Sequence, residues 1–290
     1  VKFRKLLKRL TLTAAFSAAA LGIYSYKIEP SMLKTTTYQV DTQKWPQDMP
    51  QLHVVAVSDL HVGSPNVSIE RLGRIVERIN ALKPDVILLP GDFTTMKGEG
   101  VVPGGKYVEP RDIAAVLKNL KAPGGVYAVI GNHDVYNDPD GMAKALRDVG
   151  ITVLANESAK IAYGGRTFYV TGLEDDTSQK PDWDKALAGI DAKSPVIAFM
   201  HDPGPFVDMG ARPVIAIAGH THGGQFLPFL VPLIRDPVVR APGKYMYGHF
   251  NENGKQLIVT SGVGESVLPL RLGAPPEVVS LKIGAPAVKK

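Results

Sequence analysis

Five short stretches of this chain carry side chains suited to divalent metal ions, and they form one ordered series. Asp59-Leu60-His61 comes first, then Gly91-Asp92, Gly131-Asn132-His133-Asp134, His201-Asp202 and Gly219-His220-Thr221-His222. They hold five of the seven histidines. Carboxylate oxygens, one amide oxygen and imidazole nitrogens make a mixed donor set. It fits two divalent metals side by side, and suits manganese, iron or zinc better than calcium. Each stretch alone has an ordinary explanation. Gly-Asp is usually a turn, Asn-His-Asp could cap a helix, and a lone histidine at a strand end is usually just hydrogen-bonded. Five in order, each following an apolar run, argue for one metal-dependent hydrolytic site.

Those runs are the strands that must position the series. Residues 54–58 precede Asp59, 86–90 precede Asp92, and 126–130 precede Asn132. Residues 196–200 precede His201, and 214–218 precede His220. Open α/β sheets gather ligands at the carboxyl ends of their strands, so five such ends can converge on one crevice. Glycines 91, 131 and 219 let the chain turn sharply at three of the exits. Ser68 can cap a helix whose apolar face is Ile69, Leu72, Ile75, Val76, Ile79 and Leu82, at a 3.6-residue period. Further helices are predicted at 111–121, 140–149 and about 182–189, and further strands at 35–40, 152–155, 160–163, 166–172, 256–261 and 277–283. Gly164-Gly165 predicts a hairpin turn. Helices alternating with strands, then mostly strands, predict an α/β sandwich of two sheets.

With 290 residues and 44% hydrophobic content, the chain can bury one large core. The absence of cysteine excludes disulfides, thiolate metal sites and cysteine nucleophiles. The net charge of +5 belongs to residues 1–30, where six bases (Lys2, Arg4, Lys5, Lys8, Arg9 and Lys27) face one acid, Glu29. The rest holds 27 bases and 27 acids, so it has no overall basic field, and no nucleic-acid partner is expected. After the basic start, an uncharged apolar stretch runs from Leu10 to about Tyr26. At roughly 17 residues it is at the short limit for a membrane span. An uncleaved anchor, a cleaved signal ending near Ala18–Ala20, and a peripheral helix are the alternatives. Val1 in place of Met points to an alternative start codon or a trimmed chain. The positive-inside rule keeps residues 1–9 cytoplasmic and sends the body across the membrane.

The five stretches resemble the calcineurin-like metallophosphoesterase family: D-L-H at 59–61, G-D at 91–92, G-N-H-D at 131–134, H-D at 201–202 and G-H-T-H at 219–222. The resemblance continues through G-G-Q at 223–225, S-G-V-G-E-S at 261–266, P-L-R-L-G at 269–273 and P-P-E at 275–277. There it is similar to a membrane-associated bacterial branch that includes phosphodiesterases and UDP-2,3-diacylglucosamine hydrolases. It implies a four-layer αββα sandwich with two mixed sheets over residues 51–285, after an N-terminal hydrophobic helix (1–28) and a connector with a first strand (29–50). It also implies two divalent metals (Mn2+, Fe2+ or Zn2+). Asp59, His61, Asp92 and His222 would hold one, and Asp92, Asn132, His201 and His220 the other, with Asp92 shared. A hydroxide between the metals would attack phosphorus in line. His133 is implied as the catalytic histidine, with Asp134 hydrogen-bonded to it. The implied location is a bacterial cell membrane, with the body on the extracytoplasmic side.

The ester itself is less legible. Residues 226–234 form an apolar run with two prolines, close after His222. It is either a lip that contacts acyl chains or the bilayer, through Phe226 and Phe229, or a loop packed on the body. Arg235, Arg240, Lys244 and Arg271 are candidates for phosphate contact, Arg271 foremost. The favoured substrate is a lipid-linked phosphate ester such as UDP-2,3-diacylglucosamine. The alternatives are a soluble small-molecule or cyclic-nucleotide phosphodiesterase or phosphatase, and a non-catalytic metal-binding scaffold.

Overall fold

The computed structural model describes residues 2–98, 102–228 and 243–287. Helix α1 (Lys2–Ile23) is exposed from residue 3 onward. It continues through a π-helical turn (Tyr24–Ile28) and a 3-10 turn (Glu29–Ser31) into the body. The following elements are β1 (Lys34–Asp41), β2 (Leu52–Ala56), α2 (Ile69–Ala81), β3 (Val86–Leu89), α3 (Pro110–Leu117), β4 (Val126–Ala128), α4 (Asn132–Asn137), α5 (Pro139–Asp148) and β5 (Thr152–Val153). The second half holds β6 (Glu157–Tyr163), β7 (Arg166–Gly172), α6 (Trp183–Leu187), β8 (Val196–Met200), β9 (Ile215–Ala218), β10 (Gly248–Glu252), β11 (Lys255–Val259) and β12 (Glu277–Gly284).

These strands form two six-stranded mixed sheets, ordered β1-β12-β2-β3-β4-β5 and β10-β11-β9-β8-β7-β6. In the first, β2 to β5 run parallel, β12 is antiparallel to β2, and β1 is parallel to β12. In the second, β7, β8, β9 and β11 run parallel between antiparallel edges β6 and β10. The central strands read as unbroken apolar runs because both faces are covered. Along β3 and β8 every residue is buried. Alternate side chains serve alternate layers. Val54, Ala56, Val86 and Leu88 meet Phe168, Val170, Ile197, Phe199 and Ile217 between the sheets. Val55, Ile87 and Leu89 face α2, α3 and α5 through Leu72, Ile75, Ile113 and Leu146. On the far side Ala198, Met200, Ala216 and Ala218 pack on Ala186 of α6, Phe206 and Tyr245. The αββα order is therefore present, with a thin fourth layer.

Local signals behave as their physics requires. The Ser68 side chain accepts from the Arg71 N–H at the start of α2 (3.3 Å). Gly164 and Gly165, both at positive φ, join β6 to β7. Two elements are additions to the sequence expectation: the edge strand β10 and the short helix α4, which begins at Asn132 itself. The strands expected at 256–261 and 277–283 form as β11 and β12, in different sheets.

Candidate metal centre

β2, β3 and β4 of one sheet, and β8 and β9 of the other, end at a common edge, and the loops leaving them carry the series. Backbone bonds tie these loops together before any side chain is placed. Asp59 N–H donates to the Gly91 carbonyl (3.1 Å) and His61 N–H to the Asp92 carbonyl (3.0 Å). Asp59, His61, Asp92, His220 and His222 all adopt left-handed backbone conformations, with φ between 38° and 67°. That costs on the order of 1 kcal/mol per residue and persists only where surroundings enforce it. Two glycines make room for ligand carboxylates. A Cβ on Gly131 would lie 2.3 Å from Asp92 Oδ1, and one on Gly219 would lie 2.3 Å from Asp59 Oδ2.

The side chains converge as two clusters. In the first, His61 Nε2 lies 3.1 Å from His222 Nε2 and 3.4 Å from Asp92 Oδ2, and His222 Nε2 is 3.6 Å from Asp59 Oδ1. In the second, His201 Nε2 is 3.1 Å from His220 Nδ1, 3.0 Å from Asn132 Oδ1 and 3.3 Å from Asp92 Oδ2. Asp92 Oδ2 reaches both. Imidazole nitrogens aimed at each other at 3.1 Å, beside carboxylates and deep in the protein, suit a shared cation far better than each other. All seven residues are buried. The donor sets could hold two divalent ions with Asp92 between them.

The electrostatics fit that purpose. Burial, helped by His133, lowers His61 to about 3, and burial with His61 and Arg271 holds His222 well below the usual histidine range. Both rings are thus kept neutral, as ligands must be. Burial pushes Asp59 up. Asp92 and His201 overcome their burial by facing each other: the imidazole holds the carboxyl well below its usual range, and the carboxylate holds the imidazole well above. His201 Nδ1 lies 2.7 Å from the Pro90 carbonyl, an acceptor that fixes the proton there and frees Nε2 for the cluster.

Around the seven, the expected residues divide. His133 is half-buried, with its ring edge-on to His61 at 4.6 Å between centroids, and its Nε2 lies 3.3 Å from Ser266 Oγ. Asp134 does not reach the His133 ring. Its carboxylate accepts from the N–H groups of Phe93, Thr94 and Gly131 and from the Thr94 hydroxyl, so it fastens the loop after β3 to the start of α4. Burial, then Asp92, pushes Asp134 up to about 7. Arg271 is also not offered to a substrate. Fully buried, it donates to the carbonyls of Ala274, Ser261 and Gly264, and lies 3.4 Å from His222 Nδ1. Lys244 pairs with Glu252 on the surface. Phe226 is part-exposed, bridging to Leu272 and Gly273. Phe229, Arg235, Arg240 and most of the apolar run lie outside the described residues. Two residues without an assigned role from the sequence join the site: Ser266 beside His133, and Asp202, whose Oδ2 is 3.3 Å from His220 Nε2.

Two six-stranded sheets with carboxylates and imidazoles gathered where their strands end define a metal-dependent hydrolase of phosphoesters. The chain belongs to the calcineurin-like phosphoesterase family, whose model matches residues 52–224. It is 28% identical to the metallophosphoesterase YkuE of Bacillus subtilis, over 95% of this chain and 96% of that protein. It is 29% identical to phosphodiesterase YaeI of Escherichia coli, over 94% of this chain and 97% of that one. A transmembrane protein with a metallophosphoesterase domain from Danio rerio is 28% identical over 94% of this chain, which spans 62% of that longer protein. The family uses divalent metals, in keeping with the clusters described.

Proposed function

We propose that the chain is a membrane-tethered phosphodiesterase or pyrophosphatase acting on an amphiphilic, lipid-linked phosphate ester such as UDP-2,3-diacylglucosamine. The observation that carries the catalytic part is the pair of donor clusters sharing Asp92 Oδ2. Asp59, His61, Asp92 and His222 hold one divalent ion; Asp92, Asn132, His201 and His220 hold the other. When bound, the ions supply Lewis-acid polarisation of the phosphoryl oxygens and a water acidified to near neutral pH. The chain's own groups do the rest. Five of the seven ligands are fixed by left-handed backbones, His201 by the Pro90 carbonyl and Asn132 by the start of α4, with Gly131 and Gly219 making room, so little reorganisation is needed. His133, at the half-open side, donates a proton from its ring to the leaving alkoxide. The Asp134 carboxylate holds the His133 segment at the right height without touching the ring. Arg271 braces the loop behind His222 from inside.

The membrane part rests on α1. It is long and apolar enough to cross a bilayer, by length and composition. Its end is built into the body: Ser25, Glu29 and Pro30 are buried, and Ser25 and Glu29 accept from the loop that carries Arg271. An anchor retained in this way, with its basic start on the cytoplasmic side, leaves the body on the extracytoplasmic face. The YaeI relative's name as a phosphodiesterase supports a diester rather than a monoester. The test is a metal-reconstituted screen of the full chain against monoesters, soluble diesters, cyclic nucleotides and UDP-diacylglucosamine in mixed micelles. Fastest turnover of the amphiphilic ester is expected. Turnover confined to cyclic nucleotides or monoesters would refute it.

A further inference from the structure

Apolar side chains stand in solvent on the rim of the metal centre. Val267 is 78% exposed, Leu268 47% and Phe226 38%. They belong to one ridge, because Gln225 Nε2 donates to the carbonyls of both Ser266 and Leu268 (2.9 Å each) and Ser266 N–H donates back to Gln225 Oε1 (2.9 Å). The ridge touches the chemistry at both ends. Ser266 Oγ is 3.3 Å from His133 Nε2, and Phe226 follows His222 by four residues. Val267 also sits at φ 63°, a conformation that β-branched residues avoid. The fold thus holds a strained backbone that sends a valine outward, and its own core gains nothing from that.

The end of α1 docks against the same loop. Arg271 N–H donates to the Ser25 carbonyl (2.8 Å), and Ala274 N–H to Glu29 Oε1 (2.8 Å). Leu268 is three residues from Arg271, a reach of at most about 11 Å of extended chain. The ridge therefore lies within one short loop of the point where an apolar, fully exposed helix leaves the body. Exposed apolar groups beside a membrane helix match one partner, the lipid leaflet that the helix enters.

We propose that the 266–268 turn and Phe226 seat in the surface of that leaflet, so that the metal centre opens onto lipid headgroups. A phosphate ester whose acyl chains remain in the bilayer then reaches His133 and the ligand clusters without leaving the membrane. The proposal deepens the lipid-linked reading above, but its test does not depend on turnover. The chain has no cysteine, so a single introduced thiol is a unique label site. Val267→Cys and, separately, Leu268→Cys are labelled with a small environment-sensitive fluorophore in the full chain. The protein is then reconstituted into phosphatidylcholine/phosphatidylglycerol vesicles with or without bromine on the acyl chains. Lys193→Cys, exposed just before β8 and so at the opposite edge of the sheet, is the control. Both ridge labels should lose most of their emission in brominated vesicles while the Lys193 label keeps its own. Quenching at neither ridge position beyond the control overturns the proposal. Ridge labels that are shielded from water yet insensitive to bromine also overturn it, and make the ridge the seat of a protein. Soluble bis-p-nitrophenyl phosphate, assayed on the same samples, reports separately whether the phosphoesterase reading stands.

Discussion

Replacing Asp202 with Asn isolates a contact that no ligand motif contains. His220 presents Nδ1 to the second cluster, 3.1 Å from His201 Nε2, and so must carry its proton on Nε2. Asp202 Oδ2, fully buried, waits 3.3 Å from that Nε2. The other oxygen, Oδ1, accepts from the Gly204 N–H (2.5 Å). Asparagine can keep Oδ1 on Gly204 but turns an NH2 group toward His220. The imidazole then does best with its proton on Nδ1, which removes the lone pair the metal needs. Losing a carboxylate that orients a ligating histidine weakens metal binding by roughly 10- to 100-fold, about 1.4–2.7 kcal/mol. Folding should not suffer, because burial pushes the Asp202 carboxyl up and the neutral amide avoids that cost. The assay is competitive titration of the metal-free full chain with Mn2+ or Zn2+ against a chelating indicator, beside a thermal melt. One of two affinities should fall by that factor and the other should hold. Two unchanged affinities would reduce Asp202 to a cap for the 204–206 turn and refute the tautomer reasoning.

His133→Ala should retain both metals but slow turnover of diesters with poor leaving groups by about 100-fold, with a smaller loss for p-nitrophenolate esters; equal losses on both would remove its role as acid. Because the metal-free His201 is held protonated by Asp92, metal must displace a proton from it. Affinity should therefore rise with pH, by up to about tenfold per unit below the raised value, and level off above it. Calorimetry in two buffers of different ionisation enthalpy would detect the released proton. Arg271→Met leaves three carbonyls without their donor and removes a buried cation that interacts with the buried Glu265. It should destabilise the fold by about 3–5 kcal/mol in urea unfolding. A stable variant with a raised KM would mean that Arg271 meets substrate after all.

The ligand series was legible because each member follows a short apolar run, and parallel strands buried on both faces leave that trace in sequence. The same physics hid other parts. Ser266 meets His133 across 133 residues of chain, and Asp202, though part of the H-D stretch, faces His220 rather than its neighbour His201. The motifs contain both residues but do not say what either one touches. Arg271 reads in sequence as a phosphate contact, because burial of a guanidinium depends on carbonyls delivered by turns that no local pattern shows. Asp134 stands next to His133 in sequence, yet the start of α4 turns its carboxylate toward the loop after β3. β10 was missed because an edge strand with intermediate and exposed faces has no buried apolar run to declare it. The left-handed conformations at five ligands have no sequence signature beyond the neighbouring glycines.

The central claim is that one carboxylate, Asp92, joins two metal clusters. Elemental analysis of the metal-reconstituted full chain and of Asp92→Asn, with melts to confirm folding, tests it most directly. The wild-type chain should carry two divalent ions, and Asp92→Asn should lose both or keep only a weak remainder. A wild-type chain that saturates at one ion, or a folded Asp92→Asn chain that still holds two, would contradict the shared-carboxylate centre.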